Sequence, residues 1–370
     1  MKIGIPKEIK TLENRVGITP AGVHQLAAAG HQVFVEAGAG VGSGVTDAAY
    51  QDAGATLLGV ADVWSEAELL IKVKEPIESE YQFLRPDMIV FTYLHLAADQ
   101  PQTDALMKSG ATSIAYETVQ LDSGQLPLLS PMSEVAGRMS IAVGSDLLFK
   151  HNGGAGMLLA GVPGVAPAKV VVVGAGVAGT NAAQMAHGLR ADVTVLDVNL
   201  ARLAQLDSEF SGGVKTVFST AYSIEHAIAD ADLVIGSVLI PGARAPKLVT
   251  QAMIQGAKPG SVFVDIAVDQ GGCFEGTRPT THADPTFMAG ESVMYCVANM
   301  PGAVPQTSTY ALTNATLGYA TQIANKGWKQ ACRDNRALAR GLSTFGGALT
   351  SAPVAEAWGY SSVSIESVLA

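Results

Sequence analysis

Residues 169–197, KVVVVGAGVAGTNAAQMAHGLRADVTVLD, decide the fold. Residues 170–173 are an apolar, β-branched run, short enough for a fully buried strand. Gly174, Gly176 and Gly179 follow in the spacing G-x-G-x-x-G. Residues 181–189 have helical composition, Arg190 and Ala191 end that segment, and residues 193–196 form a second strand finishing on Asp197. Each glycine has a physical task. Gly174 permits the tight turn off the strand, Gly176 lacks the Cβ that would keep a pyrophosphate from the backbone, and Gly179 lets the helix pack closely on the sheet. The first N–H groups of the helix, aided by its dipole, then face the phosphate.

With 40 glycines in the chain, a lone G-x-G-x-x-G carries little weight. Its place between strand and helix, with a carboxylate at Asp197 about 20 residues beyond the first glycine, makes it a dinucleotide signature. A carboxylate there accepts hydrogen bonds from ribose hydroxyls and repels a 2′-phosphate, which favours NAD over NADP.

At 370 residues and 48% hydrophobic, the chain can build two buried cores. A net charge of −10 and the lack of any basic run argue against nucleic acid or an anionic membrane surface. Backbone N–H groups can hold a dinucleotide regardless of that charge. Cys273, Cys296 and Cys332 are few and widely spaced, which suits a reducing compartment and gives no metal-ligand pattern. The opening MKIGIPKEIK is interrupted by charges and Pro6, unlike a signal peptide. Residues 152–168 and 292–325 carry no Asp, Glu, Lys or Arg but are broken by glycine, proline and polar residues, so neither reads as a membrane span. A cytoplasmic protein is expected.

Strands are expected at residues 2–5, 32–36, 69–73, 88–96 and 112–115, alternating with helices that include one capped by Thr19-Pro20 and one over residues 99–109. The glycine-rich residues 38–44 lack a following apolar helix and read as an ordinary loop. Ser133 and Glu134 open a long helix. After Asp197 comes a further Rossmann succession, with strands at residues 215–218, 232–235 and 261–265. Residues 307–324 form a long helix, and the tail has short helical pieces. The expected fold is α/β: two Rossmann-like parallel-sheet domains separated by a cleft. Residues 1–128 and 306–370 would make a discontinuous substrate domain, and residues 129–305 the nucleotide-binding domain.

Ligands of open parallel sheets bind beyond the carboxyl ends of the strands. Arg15 lies in the loop after the first strand and Lys74 at the end of the third. His95 lies near the end of the fourth, on the face of Ile89, Phe91 and Tyr93 by alternation, and Asp269 lies just past the strand ending at Asp265. These residue types suit a small 2-oxo or 2-amino acid. Arginine can pair bidentately with a carboxylate, lysine is a point charge for a carboxylate or carbonyl oxygen, histidine transfers protons near neutral pH, and aspartate can take one from water or an amine. Each also has a structural reading: a solvated loop cation, a surface pair with Glu75 or Glu78, a satisfied strand-end histidine, and a turn former before Gly271-Gly272.

The opening MKIGIPKEIKTLENRVGITPAGV, with KVKEP (residues 72–76), FTYLHLA (91–97), SPMSEVAGRM (130–139), VDIAVDQGG (264–272) and VANMPGAVPQTST (297–309), resembles bacterial alanine dehydrogenases, and the likeness runs through essentially the whole chain. Parts are shared with the related NAD(P) transhydrogenase α subunit. The resemblance implies reversible, NAD-dependent oxidative deamination of L-alanine to pyruvate and ammonium. It implies Arg15 and Lys74 as substrate-binding residues, His95 as acid/base on the substrate oxygen, and Asp269 as the proton carrier for water attack on the imine. It also implies cofactor contacts from Ser133, Val177, Ala178, Asp197, Arg202, Ser219, Val238, Leu239, Ile266, Ala267, Val268, Asp269, Arg278, Val297, Ala298, Asn299 and Met300, and a homohexamer. Some members carry a Glu and a His one helical turn apart as a magnesium site. Gln322 and Lys326 stand at those positions here, so no metal is expected. Another small amino- or oxo-acid substrate, or a non-catalytic NAD-binding role, are the alternatives.

Overall fold

The computed structural model describes residues 1–238 and 245–370, and of Gln270 the backbone alone. In chain order the strands are β1 (Lys2–Ile5), β2 (Gln32–Glu36), β3 (Thr56–Leu58), β4 (Leu69–Ile71), β5 (Ile89–Thr92) and β6 (Thr112–Ala115). Next come β7 (Lys169–Val173), β8 (Asp192–Asp197), β9 (Lys215–Phe218), β10 (Leu233–Gly236), β11 (Val262–Asp265), β12 (Thr286–Ala289) and β13 (Ser292–Tyr295). The last are β14 (Leu342–Phe345) and β15 (Ala348–Leu349). The chain divides into two compact units, one of Met1–Met132 with Val304–Ala370 and one of Ser133–Ala303.

In the first unit the strand order is β15-β14-β6-β5-β4-β1-β2-β3. The run from β6 to β3 is parallel, while β14 joins β6, and β15 joins β14, antiparallel. In the second unit the order is β12-β13-β11-β10-β7-β8-β9, parallel from β13 to β9 with β12 antiparallel at the edge. Period-two alternation buries both faces of this second sheet. Val170, Val172, Val193, Val195, Leu233 and Ile235 fill the core on one side, and Val171, Val173, Leu196 and Val234 the core on the other. The fold is therefore two mostly parallel α/β sheets with antiparallel edges.

Each sheet reverses its direction of growth beside its first strand. The first unit lays down β1, β2 and β3 in one direction, then re-enters on the far side of β1 as β4. The second lays down β7, β8 and β9, then re-enters beside β7 as β10. At such a reversal the loops leaving neighbouring carboxyl ends part in opposite directions and open a crevice.

Helix signals in the sequence mark real boundaries. Thr19 caps Pro20–Ala28 by accepting the Gly22 N–H, and Asp99 caps Gln100–Ser109, which Gly110 closes in the left-handed conformation. Several expectations need correction. The long helix begins at Ser130, not Ser133, because a proline in the first turn sacrifices no hydrogen bond and Pro131 is accommodated there. The helix expected from residue 181 begins at Val177, directly on Gly176. The strand expected over residues 88–96 ends at Thr92, because the Leu94 and His95 N–H groups are taken by the Glu117 carboxylate instead of a neighbouring strand. Strands β3, β12, β13, β14 and β15 were not expected; the tail read as helical also supplies an antiparallel edge.

Candidate active site

Arg15, Lys74 and His95 follow the carboxyl ends of β1, β4 and β5, three adjacent strands that include the reversal point of the first unit. Arg15 is buried, with 2% exposure. Its Nε donates to Glu13 Oε1 at 2.7 Å and its Nη2 to Glu13 Oε2 at 2.5 Å, and Nη1 approaches Met132 Sδ at 3.2 Å. Burial works against the guanidinium charge, and the Glu13 fork outweighs it. The bidentate edge that the sequence offered to a substrate carboxylate is thus engaged within the protein, and Glu13 sets the direction of the cation.

The two lysines of KVKEP divide the work. Lys72 is fully buried and ion-paired to Glu8 at 3.2 Å and Glu80 at 2.9 Å. Burial acts to neutralise it, but the two carboxylates hold its pKa above the ordinary value. Glu8 Oε1 also accepts the N–H groups of Val73, at 2.6 Å, and Lys74, at 3.3 Å, so the same carboxylate fixes the loop that carries Lys74. The Lys74 ammonium itself is half-buried and forms no ion pair among the described residues. Its charge is felt by Glu75: burial pushes that carboxyl up, and Lys74, Lys10 and His95 together bring it below the usual range. Lys74 and His95 therefore act on one carboxylate.

His95 is not on a strand face. It sits three residues past β5 in the left-handed region, φ 51° and ψ 39°, a conformation costing roughly 1–2 kcal/mol for a residue with a Cβ. Its ring stacks on Tyr93 at 5.8 Å. Its N–H donates to Glu117 Oε1 at 2.6 Å, and Nδ1 lies 4.0 Å from the same oxygen. Backbone strain held by a specific side chain is a common mark of a functional position.

In the second unit the three motif glycines separate by cause. Gly174 has φ 102° and could not carry a side chain without strain. A Cβ on Gly179 would overlap the Gly174 carbonyl oxygen and crowd Ser237 Oγ, and one on Gly137, in the long helix, would overlap the Ala178 carbonyl oxygen. A Cβ on Gly176 would meet nothing within 4 Å. Gly176 is thus unexplained by packing, and it heads the helix Val177–Gly188, whose start has no side-chain cap. Open space beside uncapped N–H groups fits a phosphate.

Asp197 closes β8 beside this turn, its Oδ2 accepting the Ala175 N–H at 2.6 Å and its Oδ1 the Asn199 N–H at 2.7 Å. Arg202 is folded onto the same turn, with Nε on Ala175 O at 2.8 Å, Nη2 on Thr180 Oγ1 at 2.6 Å and Nη1 on Gln205 Oε1 at 2.5 Å. Ser219 donates its N–H to Asp197 O. Val238 follows β10, and its methyl borders Gly174. Val177 and Ala178 open the helix on the glycine turn, and Ser133 lies in the first turns of the long helix. Leu239 lies outside the described residues.

Ile266, Ala267, Val268 and Asp269 follow β11. Asp265, fully buried, anchors this loop by accepting the N–H groups of Ala267, Cys273 and Phe274. Burial pushes its carboxyl up in pKa against those bonds and the Thr277 hydroxyl. Asp269 is exposed, and its Oδ2 accepts the Asn299 N–H at 3.3 Å, which ties it to the segment of Val297, Ala298, Asn299 and Met300. Arg278 is exposed and lies over the Phe287 ring at 4.4 Å.

Glu8, Glu13 and Glu117 were missed by the sequence reading, although each holds one of the candidate residues. The glycine-rich loop read as ordinary also matters: Gly38, Ala39, Val41 and Gly42 line a small cavity with Lys7, Glu8, Glu13, Asn14 and Arg15. Gln322 and Lys326 are engaged in the fold, Gln322 with Asn335 and Lys326 in an ion pair with Asp334 at 2.5 Å. Among the described residues no helix is long and apolar enough to cross a membrane.

Two mostly parallel sheets, one presenting cations and an imidazole at its reversal point and the other an open glycine turn, define a two-domain α/β dehydrogenase. Residues 4–136 match the alanine dehydrogenase/PNT N-terminal domain and residues 140–352 the C-terminal domain of the same family. An alanine dehydrogenase of Mycobacterium tuberculosis is 58% identical over 371 residues, covering 100% of both chains. A solved L-alanine dehydrogenase superposes with a TM-score of 0.93 at 49% identity, covering 97% of this chain and 99% of that one. A transhydrogenase from Sinorhizobium meliloti superposes at 0.79 with 28% identity, covering 95% and 99%. The chain belongs to the alanine dehydrogenase/PNT family and is an oxidoreductase.

The glycines supply a test. If the turn holds a dinucleotide, Gly176→Ala should leave the urea unfolding midpoint near wild type while weakening NADH binding measured by fluorescence. Gly179→Ala should cost about 1–3 kcal/mol of stability through overpacking. Equal stability losses in the two variants would show that packing, not a ligand, accounts for both positions.

Proposed function

We propose that the protein catalyses reversible oxidative deamination of L-alanine: L-alanine, NAD⁺ and water give pyruvate, ammonium, NADH and a proton. The substrate follows from the names of the full-length relatives. The observation in this chain that supports the reading most is the Lys74 ammonium, which lacks an ion-pair partner among the described residues where Lys72 and Arg15 are each matched by a carboxylate. In this reading Arg15 and Lys74 anchor the substrate carboxylate, and Lys74 polarises the carbonyl. His95 gives a proton to the carbonyl oxygen when pyruvate is reduced and takes it back in the other direction. Asp269 carries protons during attack of water on the imine.

The residues around the glycine turn fit NAD. The open face of Gly176 and the uncapped start of Val177–Gly188 suit the pyrophosphate, and Asp197 suits the ribose hydroxyls. NAD⁺, when bound, supplies the ring that accepts the hydride. Ser133, Ser219, Val238, Leu239, Arg278 and the segments of Ile266 to Asp269 and Val297 to Met300 would complete its surroundings. The first unit would serve the substrate and the second the dinucleotide.

Four outcomes are expected. With its carboxylate fixed by two backbone N–H groups and Arg202 tied down beside it, Asp197 should make kcat/KM for NAD⁺ exceed that for NADP⁺ by roughly 100-fold or more; comparable values would mean that Arg202 swings out to meet the 2′-phosphate. Because Gln322 and Lys326 replace the acidic and imidazole ligands, EDTA should leave the rate unchanged, and a loss restored by Mg²⁺ would show a metal bound elsewhere. Purified protein should form NADH from L-alanine, followed by absorbance, faster than from glycine or L-serine. His95→Ala should lower kcat by about 10²–10⁴ with NADH affinity intact. No NADH from any of the three amino acids would overturn the assignment.

A further inference from the structure

His95 stands in a conformation its own backbone disfavours, and one carboxylate holds it there. Glu117, in the turn Tyr116–Thr118 after β6, accepts the Leu94 N–H at 3.2 Å and the His95 N–H at 2.6 Å. The same Oε1 lies 4.0 Å from His95 Nδ1. Both side chains are largely withdrawn from solvent, with 26% exposure for His95 and 12% for Glu117. Among the described residues, Glu117 meets no lysine or arginine at ion-pair distance, and the side chain it faces at 4.0 Å is the His95 imidazole. Glu75, the other carboxylate that senses His95, is matched by Lys10 and by the charge of Lys74.

If Glu117 only held the backbone, a neutral acceptor such as an amide would serve as well. A carboxylate at this distance adds something an amide cannot. It sets a negatively charged oxygen 4.0 Å from Nδ1, beyond hydrogen-bond distance but on the side of that nitrogen. We propose that Glu117 is the positioning residue for His95, fixing its left-handed backbone and facing Nδ1, so that Nε2 is the nitrogen that exchanges the proton with the substrate oxygen. This rests on the acid/base reading of His95 above. Tyr93, stacked on the ring at 5.8 Å with an interplanar angle of 6°, limits how the imidazole can turn away from that orientation.

The test compares the full-length Glu117→Gln, His95→Gln and double variants in pyruvate reduction with ammonium and NADH. Glu117→Gln is expected to lower kcat by about 10- to 100-fold, the span for losing a group that orients a histidine. NADH affinity and the KM for pyruvate should stay within about twofold. In the His95→Gln background the same change should cost less than about twofold more, because both act through one imidazole. A wild-type kcat in Glu117→Gln alongside a slow His95→Gln overturns the inference and leaves the reading of His95 standing. A fast His95→Gln overturns both. Losses that multiply in the double variant, or loss of fold and NADH binding in Glu117→Gln, mark Glu117 as a structural residue and overturn the inference.

Discussion

The Lys72 ammonium, without solvent contact and clasped by Glu8 and Glu80, holds the first unit together at the point where its sheet changes direction. Strand β4 must return beside β1 after two crossovers have gone the other way, so the loops leaving those strands diverge. Glu8 comes from the loop after β1, and Lys72 directly follows β4. Their pair bridges the divergence, and Glu8 continues into the Val73 and Lys74 N–H groups. A buried ion pair is not stabilising by default, since desolvation offsets much of the attraction. Here each oxygen has a task, and the geometry that results presents Lys74 while Lys72 disappears into the core.

Anchored charge recurs at each candidate position. Arg15 is aimed by Glu13, Lys74 by Glu8 and His95 by Glu117, and the loop bearing Asp269 is tied down by Asp265. In every case the anchoring carboxylate bonds to backbone N–H groups or to a fork of donors, so it fixes direction as well as charge. The second unit uses backbone geometry for the same end. Gly174 and Gly179 are required by the turn and by the helix packed behind it, and their tight fit leaves Gly176 facing open space.

Residues 169–197 were legible because their pattern is local: a β-branched run, three spaced glycines and a carboxylate at the next strand end. The helix cap at Thr19 was legible for the same reason. What escaped depends on partners far away in sequence. Nothing in FTYLHLA announces that β5 stops at Thr92, because the residue that ends it is Glu117, on the neighbouring element. Glu8 belongs to no motif of its own, and its role shows only once Lys72, 64 residues on, is seen buried against it. The edge strands β14 and β15 are short, and residues 342–349 include polar and glycine positions, so no alternation marks them.

Placing carboxylates of the core behind the presented cations has an evolutionary side. A loop cation that is merely solvated can be exchanged to try a new substrate at little cost to folding. Arg15 cannot be exchanged in this way, because its removal would strand the Glu13 carboxylate in the interior, and Glu8 is bound to the fold by Lys72 in the same manner. Charge selection at this edge is therefore locked to foldability. Drift at this edge is channelled toward half-buried positions such as Lys74, which forms no ion pair among the described residues.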